Sequence, residues 1–211
     1  MPSRRLAVPA IPLWFVAALA VMVASQLARL EQTAPWAWLT CDYAGRLGAL
    51  AVLWISPAAR AIAFTSQRRE ISVAEAIAWA IALASVYTII DSPLRGVIDG
   101  MVPGTRISTY PASAGLLHVL DITLGLALVA VQEEIYFRRC ARAVFGNWLG
   151  DGVGMIIATS LLFAGYHWWT GLGNVVTAGL FGVGAMWLYR RAGALWPAVL
   201  SHYLADLFAF T

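Results

Sequence analysis

The chain has 211 residues, 61% of them hydrophobic and 12% charged, with a mean hydropathy of +0.74, which is more apolar than a water-soluble domain of this length needs for its core. All 14 basic residues are arginine and the net charge is +3. They stand singly or in pairs, so the composition excludes a nucleic-acid-binding face and points to an integral membrane protein.

MPSRR precedes the first apolar run, which is longer than the about 7–15 residues of a cleavable signal core and is read as a membrane helix. Seven spans are expected from apolar stretches bounded by arginine, proline and glycine: Ile11 to Ala28, Trp38 to Ile55, Val73 to Ile90, Gly115 to Arg138, Val153 to Trp169, Asn174 to Tyr189 and Leu195 to Phe210. In the third, Glu75 with Arg68, Arg69 and Glu70 would also suit an interfacial helix. The whole reads as an all-α, polytopic transmembrane helical bundle of about seven spans. Residues 1–112 contribute membrane helices and residues 113–211 a motif-bearing core.

Seven spans with a cytoplasmic N-terminus leave Arg4, Arg5, Arg60, Arg68, Arg69, Arg138, Arg139, Arg142, Arg190 and Arg191 inside, and Arg29, Arg46, Arg95 and Arg106 outside. That asymmetry obeys the positive-inside rule. Asp91 to Pro111, with its prolines and glycines, is expected to be the longest outer connection. The absence of lysine suggests a GC-rich bacterial genome, and the expected location is the bacterial inner membrane. Cys41 and Cys140 fall at opposite faces and read as structural thiols.

An ionisable group inside a span costs about 2.5–3.5 kcal/mol on insertion scales, so each needs a partner or a function. The candidates are Asp42, Arg46, His118, Asp121, Glu133, Glu134, Arg138, His167, His202 and Asp206. Asp42 and Arg46 are four apart and read as a helix-stabilising pair. His118 and Asp121 lie about 18–22 Å of helical rise from Glu133 and read as structural.

In the stretch LALVAVQEEIYFRRC, Glu134 and Arg138 share a helix face and can form an ion pair, whereas Glu133 points about 100° away and is the free carboxylate. If instead it is interfacial, Arg139 could neutralise it. Phe163 stands four before His167, and His202 four before Asp206, so each histidine has an orienting neighbour on its own helix. A carboxylate with two imidazoles in a dry site could activate water against a peptide carbonyl. The set Glu133, His167 and His202 could equally hold zinc. There is no HExxH, Ser113 lies in a loop, and Asp151 lacks a second aspartate span.

These motifs resemble those of the CAAX-protease and bacteriocin-processing family, the glutamate-dependent intramembrane endopeptidases that include the Ras-converting enzyme. Its EExxxR, FxxxH and HxxxN or HxxxD signatures stand here, in order, as Glu133-Glu134 with Arg138, Phe163 with His167, and His202 with Asp206. The resemblance begins near Gly115. It implies Glu133 as general base, His167 as its partner on water, His202 and Asp206 as an oxyanion-stabilising pair, and Glu134, Arg138 and Phe163 as support. It implies no cofactor, with zinc the minor reading.

The expected activity is hydrolysis of a peptide bond near the membrane tail of a membrane-associated protein or peptide, with removal of a C-terminal sorting signal favoured over prenylated-protein processing. The alternative is a non-catalytic bacteriocin-immunity or partner-binding membrane protein; a proton-relay transporter is disfavoured by the missing inverted repeat. One geometric demand follows. From the cytoplasmic face His167 lies about 21 Å along its helix and His202 only about 10–12 Å along the last, so a tilt, a broken helix or a shifted start must bring them together.

Overall fold

A computed structural model describes residues 10–66 and 68–210; Arg4 and Arg5, assigned above to the inner face, lie outside them. Among the described residues the elements are all helical: α1 (Leu13–Leu30), α2 (Pro35–Ile55), α3 (Pro57–Ala63), α4 (Val73–Met101), α5 (Gly115–Leu149), α6 (Val153–Tyr166), a single 3₁₀ turn at Trp168–Thr170, α7 (Leu172–Ala192) and α8 (Trp196–Phe210). Burial is inverted relative to a soluble protein. Leu13, Leu116, Leu124 and Val153 are 69–83% exposed, while Arg29, Asp42, Glu133, Glu134 and Arg138 are buried. A bundle whose apolar side chains face outward and whose charges face inward is matched to hydrocarbon surroundings.

Each of the seven apolar stretches is helical, but four helices are long and apolar enough to cross a membrane unaided: α1, α4, α5 and α7. A fifth is gained if α2 and α3 count as one span broken by a 112° bend. The bend falls at Ser56-Pro57, where proline forces the preceding residue out of the helical region, and Ser56 adopts an extended ψ of 117°. α6, at 14 residues, and α8, at 15, rise only about 21–23 Å against a hydrocarbon core of about 30 Å.

Two boundaries are corrected. α4 continues through Pro93 to Met101, so the connection expected on the outer side begins at 102 rather than at Asp91. Its polar residues are absorbed locally: Arg95 donates to both oxygens of Asp91 at 2.8 and 2.7 Å and to Asn174 Oδ1 at 2.6 Å. α4 starts at Val73, with Ser72 capping the Glu75 amide at 3.1 Å, so residues 68–70 are not continuous with it. α5 runs past Arg138 to Leu149, where Gly150 at φ 67° ends it. It is interrupted by π-helical segments at Asp121–Gly125 and Ile135–Cys140, the second directly after the paired glutamates.

The chain connections sort into two ends. At one, Glu70 N–H donates to Ala192 O at 2.8 Å, Arg139 to the Ala63 and Thr65 carbonyls at 2.8 Å, and Arg142 and Arg190 meet Asp151. At the other, Ile107 and Ser108 donate to Trp169 O at 3.0 and 3.1 Å, and Tyr110 packs on Trp38 and Phe210. Asp121 belongs to this second end, accepting from Tyr43 and, at 2.6 Å, from Tyr110. Between them α6 and α7 approach closely; a Cβ at Gly182 would lie 3.2 Å from Ser160 Cα.

Candidate active site

Glu133 and Glu134 are consecutive on α5 and both buried, yet their side chains go to different partners. Glu134 accepts from Arg138 Nε at 2.7 Å and from Nη2 at 3.2 Å, the ion pair expected from their spacing. It also accepts from His202 Nδ1 at 2.9 Å, a bond across 68 residues that the spacing did not reveal. A carboxylate offers only acceptors, so Nδ1 carries a proton, and Nε2 is turned toward the carboxylates of Glu133 and Asp206.

Glu133 is not a free carboxylate. Its Oε1 accepts from Arg46 Nη1 at 2.7 Å. Arg46 in turn donates from Nε to Asp42 Oδ2 at 2.7 Å, and Asp42 is also paired with Arg29. The Asp42–Arg46 pair is therefore half of a buried chain, Arg29–Asp42–Arg46–Glu133, in which two cations alternate with two anions. Removing charges from water in alternating pairs offsets a desolvation cost that no single one of them could meet. Arg139 takes no part, being committed at least to the carbonyls of Ala63 and Thr65.

The second oxygen, Oε2 of Glu133, is buried and makes no hydrogen bond. It lies 4.0 Å from His167 Nε2 and 3.9 Å from His202 Nε2. These separations are too long for direct hydrogen bonds and short enough for one small molecule to touch all three atoms. His167 directs its other nitrogen, Nδ1, at the Phe163 carbonyl at 2.8 Å. A carbonyl only accepts, so Nδ1 is the donor and Nε2 of the neutral ring faces Glu133 with its lone pair. Asp206 Oδ2 lies 3.5 Å from His202 Nε2, on the fourth side of the same space.

Despite the difference in helical rise, both histidines reach the same carboxylate oxygen. α6 ends at Tyr166, His167 sits just beyond it, and the chain turns through Trp168–Thr170. Gln26 of α1 fixes that turn, donating to Tyr166 O at 2.9 Å and accepting from the Trp168 indole at 3.0 Å. Phe163 is the shared floor: its ring is 4.6 Å from that of His167, 5.9 Å from that of His202 and 4.6 Å from the Arg138 guanidinium. The centre opens into a cavity of about 230 Å³ that reaches Arg95, Arg106 and Tyr110.

The seven residues singled out from the motifs thus converge, whereas Asp121 and Asp151 are engaged at opposite ends of the bundle. Sequence reading missed Arg46 as the partner of Glu133 and gave no role to Gln26. The only signal for either was a polar residue within an apolar run. A zinc ion with bonds of about 2.0–2.1 Å would need donors about 3.3 Å apart. The Glu133 to imidazole distances exceed this, and no group of three His, Cys, Asp or Glu among the described residues is disposed to hold a metal.

An all-helical bundle with outward apolar surface, closing on a buried cluster of acids and histidines, defines a membrane protein equipped for acid–base chemistry. Residues 115–208 match the family model of the Rce1-like type II CAAX prenyl endopeptidases, which bears out the resemblance carried by the three motifs and supports a protease function. The matched stretch contains all three motifs. No curated protein and no solved structure matches the chain.

Proposed function

We propose that the protein is an intramembrane endopeptidase that hydrolyses a peptide bond near the membrane tail of a membrane-associated substrate, using water activated by Glu133. The observation that carries this reading is the unpartnered Oε2 of Glu133, buried and 3.9–4.0 Å from two imidazole nitrogens. Water bridging Oε2 and His167 Nε2 is oriented by two acceptors. As its oxygen bonds to the scissile carbonyl carbon, one proton passes to Oε2. The carbonyl oxygen becomes an alkoxide, which the Nε2–H of a doubly protonated His202 stabilises, its Nδ1–H held from behind by Glu134 and its ring faced by Asp206. Collapse of the tetrahedral intermediate breaks the C–N bond, and Glu133 returns its proton to the leaving nitrogen.

Arg46 and Arg138 contribute by fixing which oxygen of each glutamate does what. Occupation of Oε1 by Arg46 leaves Oε2 as the base; occupation of Glu134 by Arg138 and His202 removes it from contact with water. No step needs a metal. The bacterial inner membrane, seven membrane-embedded segments including the short α6 and α8, a cytoplasmic N-terminus and removal of a C-terminal sorting tail belong to the same reading. It is tested by co-expression with a panel of epitope-tagged, single-span reporters that differ in their C-terminal tails. Wild-type protein is expected to cleave at least one, Glu133→Ala none, and a zinc chelator to have no effect. Equal processing by wild type and Glu133→Ala overturns the proposal.

A further inference from the structure

The cavity is not symmetric about the catalytic centre. Along the helices that wall it, lining residues lie from the level of Glu133 toward the end of the bundle that carries residues 105–110. On α2 they run from Arg46, at its middle, to Trp38, near its start; on α4 from Tyr87, at its middle, to Arg95 toward its finish; on α7 they are Asn174, Ala178 and Phe181, in its first half. On α8 the lining begins at His202 and continues to Phe210, about 12 Å further along the axis, and takes nothing from the preceding turn. Toward the other end the interior is filled: Glu134, Arg138, Tyr136, Phe137, Met186 and Leu188 are at 0% exposure. The site therefore has one open end and one closed end.

Arginines sort the same two ends. Among the described residues the closed end carries Arg60, Arg68, Arg69, Arg139, Arg142, Arg190 and Arg191, tied together through the contacts of Arg139 with Ala63 and Thr65, of Glu70 with Ala192, and of Arg142 and Arg190 with Asp151. The open end carries Arg29, Arg95 and Arg106, and each of these has an aspartate partner. Loop arginines are retained on the cytoplasmic side during insertion, and acidic residues contribute little to that bias. The closed end is thus the cytoplasmic one.

We propose that the catalytic cavity opens on the extracytoplasmic face, so that the scissile segment is presented from outside: an extended peptide stretch of a membrane-tethered protein that has already been translocated. A lipid-modified C-terminus held at the cytoplasmic surface would meet the filled end. This rests on the proposed peptidase reading only for the identity of the occupant; the direction of access stands on the geometry and the arginines.

The test is thiol labelling of full-length protein in right-side-out and inside-out membrane vesicles with a membrane-impermeant maleimide. In a Cys41→Ser parent, which should itself stay unlabelled because Cys140 is buried, single cysteines are placed at Thr109 by the mouth, at the exposed Ala209 on the cavity wall and at Gly152 in the α5–α6 turn. Expected is labelling of Thr109→Cys and Ala209→Cys in right-side-out vesicles and of Gly152→Cys only in inside-out ones. Labelling of Thr109→Cys only from the cytoplasmic side overturns the proposed orientation. Labelling of Ala209→Cys from that side, or from neither side while Thr109→Cys reacts from outside, overturns the open mouth. No turnover is involved, so a protein without peptidase activity would fail the reporter assay above and still answer this one.

Discussion

The two halves of the chain divide the labour of one site. Residues 115–208 match a family model and carry Glu133, His167, His202 and Asp206, to which the proposed function assigns the chemistry. The first 112 residues carry none of the motifs, yet Arg46 on α2 holds Oε1 of Glu133 and Gln26 on α1 holds the turn that presents His167. The difference teaches that a core recognisable by its motifs can be incomplete in itself. Glu133 and the turn that carries His167 are held by helices that lie outside the matched stretch.

Substitutions on either side of this division should separate chemistry from support. Glu133→Gln keeps the volume and a hydrogen bond to Arg46 but removes the base, and cleavage of a responsive reporter should fall by about 10²–10⁴-fold, with a smaller loss of stability than for Arg46→Met because Arg46 keeps Asp42 as its anion. Arg46→Met should be severe in a different way. It leaves Glu133 and Asp42 short of a cation in a buried site, so detergent-solubilised protein should unfold more easily by about 3–5 kcal/mol, along with a loss of cleavage. Arg46→Lys should recover part of both, since an ammonium can reach one carboxylate but lacks the fork that serves Asp42 and Glu133 together. A wild-type melting curve for Arg46→Met would break the proposed link between the halves.

Smaller effects are expected further from the base. Gln26→Leu leaves the Tyr166 carbonyl and the Trp168 indole without their partner, at a cost of about 1–3 kcal/mol. Because the turn positions His167, kcat should drop more than KM changes. The surface cluster at the arginine-rich end provides the baseline. Arg142 donates to both oxygens of Asp151 at 2.8 and 2.7 Å, and this hydrogen bonding holds the Asp151 carboxyl below its usual range. Its folded pKa being depressed, the pair's stabilisation is present above the ordinary aspartate value and is lost as pH falls through the lowered one. Asp151→Asn should therefore flatten only the acid edge of the stability profile, by under about 1 kcal/mol for so exposed a pair, and leave cleavage unchanged.

Much of this was legible from residue types and spacing. Hydropathy located the seven helical stretches, the i,i+4 rule gave Glu134 with Arg138, and three ordered motifs gave the cluster. What escaped has a common physical origin. Helix ends were set at charges and prolines, but Asp91 and Arg95 satisfy each other on α4, so the helix passes Pro93; likewise Arg138 is paired inward and does not end α5. The hydrogen bonds of Glu133 to Arg46 and of His202 to Glu134 span 87 and 68 residues, and no local period encodes them. The expected span to Trp169 overran the helix, because one that stops at Tyr166 and turns cannot be distinguished by composition from one that continues. Length, rather than position, distinguishes the four or five helices fit to cross a membrane from the seven stretches first read as spans.

The most direct measurement is a double-mutant cycle on cleavage, comparing wild type, Glu133→Gln, Arg46→Met and the double variant on one tagged reporter, at a temperature where each remains folded and monodisperse. Groups that act as a unit lose their effect together. The account predicts that Arg46→Met lowers cleavage in the wild-type background and has no further effect once Glu133 is glutamine. Equal fold losses from Arg46→Met in both backgrounds would show that Arg46 and Glu133 act independently, and would contradict a site built jointly by the two halves.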